Sequence, residues 1–177
     1  MTATDPLTVS PDLFRSVLGN LPTGVVVVTT ATPTGQLARS ANSFTSVSLE
    51  PPLVSVCFGV ASPMTRAMYA SGSWGVSVLA ADQRDLCKHF ANRHTAHEFS
   101  GVPHRIGRHT GAALLTECVA TLECRTVLTK DAGDHTVLIG EVLAMAACRD
   151  HDPLLFYRGR YPTLRQFTET NPGKAVR

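Results

Sequence analysis

The chain has 177 residues, 44% of them hydrophobic and 17% charged, with a formal net charge of +2 at pH 7. That length suits one domain with a core of its own. The charge is too small to argue for nucleic acid or an anionic membrane as partner. Five cysteines, Cys57, Cys87, Cys118, Cys124 and Cys148, form no C-x-x-C pair and are odd in number. This suits a reducing cytoplasm better than a disulfide framework or a zinc site. Residues 1–11 lack the basic start and apolar run of a signal peptide, and no apolar stretch approaches the roughly 20 residues that span a bilayer. The expected location is therefore the cytoplasm, with no membrane and no nucleic acid among the partners.

In chain order, residues 1–9 read as a flexible lead-in. Ser10-Pro11-Asp12 starts a helix, with Ser as N-cap, Pro at the first helical position and Asp in the first turn. The helix carries Leu13, Phe14, Val17 and Leu18, expected to face inward, and stops near Gly19. The β-branched run 25–30 predicts a buried strand. Pro33-Thr34-Gly35 turns into a second strand through Leu37 and Ala41, and a third runs over 53–58. Ser62-Pro63 starts a second helix in the same way as the first.

Residues 74–79 alternate as a strand, and 81–91 read as a helix with Leu86, His89 and Phe90 on one side. Residues 94–111, polar and rich in Gly and His, read as a long irregular connection. The clearest alternation is at 118–129: Cys118, Ala120, Leu122, Cys124 and Leu128 on one face, Thr121, Glu123, Arg125 and Thr129 on the other. After a turn at 130–134, the strand 136–148 returns. Being apolar on both faces, it needs two covers, a barrel interior or another subunit. A short strand at 154–157 precedes Arg158-Gly159-Arg160-Tyr161, and 168–177 read as a frayed tail. Strands dominate without regular strand–helix alternation. The expected fold is an antiparallel β-barrel with peripheral short helices over residues 10–167.

Nucleotide and nucleophile motifs are absent: no G-x-G-x-x-G after a strand, no P-loop and no G-x-S-x-G elbow. His94 and His97 follow His89 by five and eight residues, off the i, i+4 spacing of a helical metal pair, and no metal site is expected. The densest polar stretch is Arg39-Ser40-Ala41-Asn42-Ser43-Phe44-Thr45-Ser46-Val47-Ser48-Leu49-Glu50-Pro51-Pro52-Leu53. Small hydroxyl and amide side chains there leave room for a ligand to reach the backbone.

With Phe14-Arg15-Ser16-Val17-Leu18-Gly19, Pro22-Thr23-Gly24-Val25, Gly133-Asp134-His135 and Tyr157-Arg158-Gly159-Arg160-Tyr161, this stretch closely resembles the short-chain flavin reductase family, the FMN-binding split barrels. The resemblance covers about 14–161. It implies a split β-barrel and hydride transfer from NADH or NADPH to FMN or FAD. It also implies a homodimer and a partner monooxygenase that receives reduced flavin.

The flavin-contacting residues so implied are Ser40, Ala41, Asn42, Ser43, Thr45 and Ser46, then Cys57, Phe58 and Gly59. Ser62, Thr65 and Arg66 at a helix start would hold the flavin phosphate, where free amides and the helix dipole favour an anion. Phe90 and Ala91 would touch the cofactor, with Phe90 as plain core the competing reading. His135 would set the nicotinamide, and Tyr157, Arg158, Gly159 and Arg160 would help hold the dinucleotide. A surface turn with solvated side chains is the competing reading for both. Two other functions stay open: a flavin-binding barrel with another redox substrate, and a non-catalytic partner of an oxygenase.

Overall fold

The computed structural model describes residues 9–92, 94–147 and 151–164. Residues 1–8 of the proposed lead-in 1–9, the proposed tail 168–177, and Cys148 lie outside the described residues. Helix α1 spans Pro11–Leu18, and Ser10 Oγ accepts from the Leu13 amide at 3.2 Å, as the Ser-Pro signal predicts. Strands β1 (Thr23–Gly24), β2 (Val26–Thr32), β3 (Gly35–Ala41), β4 (Thr45–Leu49) and β5 (Pro52–Gly59) follow. Helix α2 (Pro63–Ser71), β6 (Ser73–Val78), α3 (Arg84–Ala91), β7 (His104–Ile106) and β8 (Ala113–Leu115) come next. The long strands β9 (Ala120–Ala132) and β10 (His135–Ala147) and the short β11 (Leu155–Phe156) complete the order.

Seven strands form one antiparallel sheet in the order β3-β2-β6-β9-β10-β5-β4. Leu37 of β3 and Val54, Val56 and Phe58 of β5 lie near opposite ends of that order, yet share one buried cluster with Val76, Leu122 and Leu138. The sheet therefore curls around a common interior, with its edge strands β3 and β4 unpaired to each other: a split barrel. Met64 and Met68 of α2 plug the interior, both fully buried. Trp74 is fully buried too, and its Nε1–H donates to Thr126 Oγ1 at 3.2 Å. A Cβ at Gly140 would run into the Trp74 indole, so β10 needs glycine opposite that ring.

Three expectations are corrected. First, Leu13, Phe14, Val17 and Leu18 do not face inward: α1 buries no residue, and Phe14 is 58% exposed. Capping and amphipathicity form a helix locally, but among the described residues no element buries its apolar stripe. Second, Leu128 does not share the burial of Leu122 and Cys124, its expected face-mates: it is 54% exposed, while Thr121 and Glu123 of the opposite set are buried as well. The reason is the register. β6 pairs with β9 only over 120–125, and beyond that β9 pairs with β10 alone. Third, β4 forms a sheet edge in the hydroxyl-rich stretch, the alternative to a purely ligand-lining one, and 104–106, within the expected loop, pairs with 113–115. Of β10, Thr136, Leu138 and Gly140 are buried, but Leu143 and Met145 stay exposed. Among the described residues its far end thus has no barrel interior as second cover, which leaves the other alternative, another subunit, open. Among the described residues no helix is long and apolar enough to cross a membrane.

Glu123 is the buried charge of the sheet, 4% exposed. Its Oε2 accepts from the His109 amide at 2.8 Å, and from the Thr110 amide and hydroxyl at 3.0 Å each. Burial pushes its carboxyl up, but these donors outweigh burial and hold it below the ordinary carboxylate value. The carboxylate thus pins the 107–110 turn to the barrel.

Candidate functional site

A hollow of about 600 Å³ opens where the two halves of the split meet. One wall comes from the end of β3 and the connection to β4: Arg39, Ser40, Ala41, Asn42 and Ser43. The opposite wall is the end of β5 and the entry to α2, with Cys57, Phe58, Gly59 and Ser62. Asp134 and His135 close it from the β9–β10 turn. That turn is tight because Gly133 adopts φ +64°, a left-handed conformation that glycine takes without strain. Register then sets His135 opposite Gly59, and the Val60 amide donates to the Asp134 carbonyl at 3.0 Å.

Within this hollow the hydroxyls are already at work. Ser43 Oγ donates to the Cys57 carbonyl and accepts from the Cys57 amide, both at 3.1 Å. It staples the β3–β4 connection to β5 across the split. Ser40 Oγ donates to the Cys87 carbonyl at 2.7 Å, tying β3 to α3. The backbone of 40–43 is thereby held on both sides, while the Asn42 side chain is exposed. His135 Nδ1–H donates to Asp134 Oδ1 at 2.8 Å. That hydrogen bond, reinforced by the charge interaction, holds the Asp134 carboxyl below its ordinary value. Burial pushes the Cys57 thiol up, so at neutral pH it is a neutral wall group.

The expected residues therefore divide. Ser40, Ala41, Asn42, Ser43, Cys57, Phe58, Gly59, Ser62 and His135 share the hollow, although they come from three separate segments. Thr45 and Ser46 lie on β4 outside its lining. At the start of α2, Ser62 Oγ accepts from the Met64 amide at 3.2 Å. Thr65 is 1% exposed, and its hydroxyl donates to the Gly59 carbonyl at 2.9 Å. Arg66 is not in the lining, although its Nη1 donates at 3.0 Å to the carbonyl of Ala61, which is. Phe90 is fully buried in a second core cluster beside Leu79 and Leu115. Ala91 offers its carbonyl to Arg39 Nη1 at 2.9 Å.

Arg39 and His97 line the hollow, though sequence reading singled out neither as a site residue. His97 lies in the polar 94–111 stretch, where no periodicity exists to read. Its Nδ1 sits 3.3 Å from the Gln36 carbonyl, beside β3.

A second hollow, about 1030 Å³, lies on the other side of Asn42, between α1 and the 157–160 turn. Arg158 and Gly159 line it; Tyr157 and Arg160 do not, being paired with each other through their backbones. Asn42 lines both hollows.

Known proteins match along nearly the whole chain. An NADH-dependent FAD reductase of Streptomyces globisporus is 40% identical over 169 residues, covering 92% of this chain and 90% of the relative. The reductase subunit of a flavin-dependent monooxygenase from Rhodococcus jostii is 37% identical, covering 95% of this chain and 82% of the relative. Among solved structures, the NADH:FAD oxidoreductase of Streptomyces globisporus in complex with NAD and FAD fragments superposes with a TM-score of 0.85 at 36% identity. It covers 93% of this chain and all of that one. The styrene monooxygenase flavin reductase of Pseudomonas putida gives 0.77 at 31% identity, over 86% of this chain and 97% of that one. The family model described as flavin reductase like domain matches residues 18–165, and the chain belongs to that family.

Proposed function

We propose that the protein is an NAD(P)H-dependent flavin reductase whose flavin lies in the hollow between residues 40–43 and 57–62. The observation that carries this is the convergence of small, backbone-exposing residues from β3, β5 and α2 with His135 around one cleft. The residues fit a flavin. The volume is in the range of small-molecule sites, about 300–1,000 Å³, and the stapled 40–43 backbone offers fixed polar groups to a ring edge.

Bound together, the two cofactors would supply the redox chemistry, hydride transfer from nicotinamide to flavin. The protein's part is alignment. Ser43 and Ser40 hold the wall rigid through backbone partners, which keeps the stacking plane fixed. In the tautomer that gives Nδ1–H to Asp134, Nε2 of His135 is an acceptor, suited to a carboxamide N–H. His135 is thus assigned to seat the nicotinamide rather than to move a proton. Arg39 and His97 take over the role expected of Thr65 and Arg66, facing the anionic or sugar part of the flavin.

Relatives named NADH-dependent support NADH as donor, and both FAD and FMN reductases occur among them. Relatives that are reductase subunits of two-component monooxygenases support delivery of reduced flavin to such a partner. The exposed apolar stripe of α1 and the uncovered Leu143 and Met145 support a homodimer. Cys57, Cys87, Cys118 and Cys124 are thiols rather than disulfides, which supports a cytoplasmic setting.

The test is steady-state oxidation of NADH and NADPH with FMN, FAD or no added flavin, for the wild type and His135→Ala. Turnover is expected to depend on added flavin. His135→Ala should lower it by about tenfold or more, with flavin affinity nearly unchanged. Flavin binding without any NADH or NADPH oxidation would reject the reductase reading. Equal losses of turnover and flavin affinity would reject the role given to His135.

A further inference from the structure

We infer that His89 of α3, which lies outside the lining of the first hollow, is a positioning residue for the flavin. It acts through His97, by fixing the Glu98 carbonyl and with it the segment 95–99 that walls the hollow. The inference rests on the flavin site proposed above and extends it to a residue not assigned there.

The edge of the split is the first argument. β3 is an end strand of the seven-stranded sheet, so its outer backbone groups have no strand partner there. The segment covers them instead. The Ala38 amide donates to the Ala96 carbonyl at 2.9 Å, and His97 Nδ1 lies 3.3 Å from the Gln36 carbonyl. In the tautomer that gives Nδ1–H to this carbonyl, Nε2 of His97 is an acceptor for a ligand hydroxyl. Gln36 is itself fixed: its carboxamide donates to the Gly111 carbonyl and accepts from the Ala113 amide, both at 2.9 Å.

Anchorage is the second. Ala96 is buried in the barrel core, whereas Phe99 packs in the second cluster against Phe90, with ring centroids 5.1 Å apart. His97 sits between these two anchors, exposed, and lines the hollow. Its upstream neighbour Ala96 is thus held by β3, and its downstream neighbour Glu98 by α3. There His89 Nε2 lies 2.8 Å from the Glu98 carbonyl. Because a carbonyl only accepts, this bond uses the tautomer with hydrogen on Nε2. The His89 ring stands edge-on to Phe90, centroids 4.8 Å apart, and the His89 carbonyl accepts from Thr95 Oγ1. The bond to Glu98 is therefore made from a seated ring, not from a free side chain.

A shared frame is the third. The same helix holds the facing part of the wall, since the Cys87 carbonyl accepts from Ser40 Oγ at 2.7 Å and the Ala91 carbonyl from Arg39 Nη1 at 2.9 Å. α3 therefore sets both the 39–40 wall and the His97 wall. For the first it uses its own backbone carbonyls, which no substitution removes. For the second it uses the His89 side chain, so the spacing between Arg39 and His97 is where a single substitution on α3 reaches the flavin.

FMN is the probe, followed by the change in its fluorescence on binding and by its KM and kcat with saturating NADH. Two variants separate the hydrogen bond from the ring. His89→Phe keeps a ring against Phe90 without a donor, and His89→Gln keeps a donor without the ring. His89→Phe is expected to raise the FMN dissociation constant and KM about five- to tenfold, with kcat within about twofold. His89→Gln should stay within about threefold of the wild type, because its carboxamide N–H can serve the same carbonyl. His97→Ala should weaken FMN binding to a similar degree alone, and by less than about twofold in the His89→Phe background. An unchanged FMN dissociation constant in His89→Phe would overturn the inference. So would a larger loss in His89→Gln than in His89→Phe, which would assign the effect to ring packing. Losses at His89 and His97 that multiply in the double variant would overturn it as well, since His89 would then not act through His97. Failure of the wild type to bind FMN would be a different result, bringing down the flavin site itself.

Discussion

Helices α1 and α2 begin with the same local signal and end in opposite environments. Each has a Ser N-cap followed by Pro, and each forms from that Pro onward. Yet α2 buries Met64, Thr65 and Met68 in the barrel, while α1 buries nothing. The more amphipathic-looking of the two in sequence is the one left outside. Capping decides whether a helix starts, whereas burial depends on which surface the rest of the fold brings to it. In this protein the exposed helix borders the hollow beside the 157–160 turn, and the buried one walls the hollow beside His135.

The contrast is broken most directly at the apolar residues themselves. Met68→Ala should cost about 3 kcal/mol of unfolding free energy, because its side chain is wholly buried in the barrel core. Val17→Ser on α1 should change the stability of a dilute sample by less than about 1 kcal/mol, while weakening self-association in sedimentation. A large stability loss independent of concentration at Val17 would mean that α1 is covered within the chain.

Glu123 sharpens the comparison with a charge in place of a methionine. Glu123→Gln should cost about 2 kcal/mol at pH 7, since three donors lose a charged acceptor. Because the folded carboxyl titrates below its unfolded value, its contribution is fully present above the ordinary carboxylate range. It is lost as pH falls through the lower folded value. Wild-type stability should therefore drop toward that range more steeply than the variant's. Parallel pH profiles from urea melts would remove Glu123 from the account.

The smallest expected effect compares the caps. Ser62→Ala should cost about 1 kcal/mol, since fraying α2 disturbs a buried plug. Ser10→Ala should leave global unfolding almost unmoved and appear only as faster amide exchange at the start of α1. Equal losses at both caps would show α1 to be part of the cooperative unit.

Much of the site was legible because it is written in short segments. The hydroxyl-rich 40–43 stretch, the Gly133-Asp134-His135 turn and the Ser62 cap all reach the hollow. What the sequence left open was side-chain partnership. Thr65 and Ser43 read as groups waiting for a ligand, but the Gly59 and Cys57 backbones already hold them. Phe90 looked the same as a ligand contact or a core residue, because an aromatic on one side of a helix serves either. Arg39 and His97 reach the hollow only because the chain folds the 96–97 segment against β3, where the Ala38 amide donates to the Ala96 carbonyl at 2.9 Å.

The sequence by itself determined the local elements: both capped helices, the β-branched strands, the glycine turn before His135 and a strand-rich class. Those depend on dihedral preference, capping and alternation within a few residues, which near neighbours control. Only the tertiary structure decided which faces are buried, where β9 leaves the barrel, and which polar groups remain open to a ligand. Each of those depends on strand register and on contacts between segments far apart in the chain, such as Asn20 with Arg158 and Ser43 with Cys57.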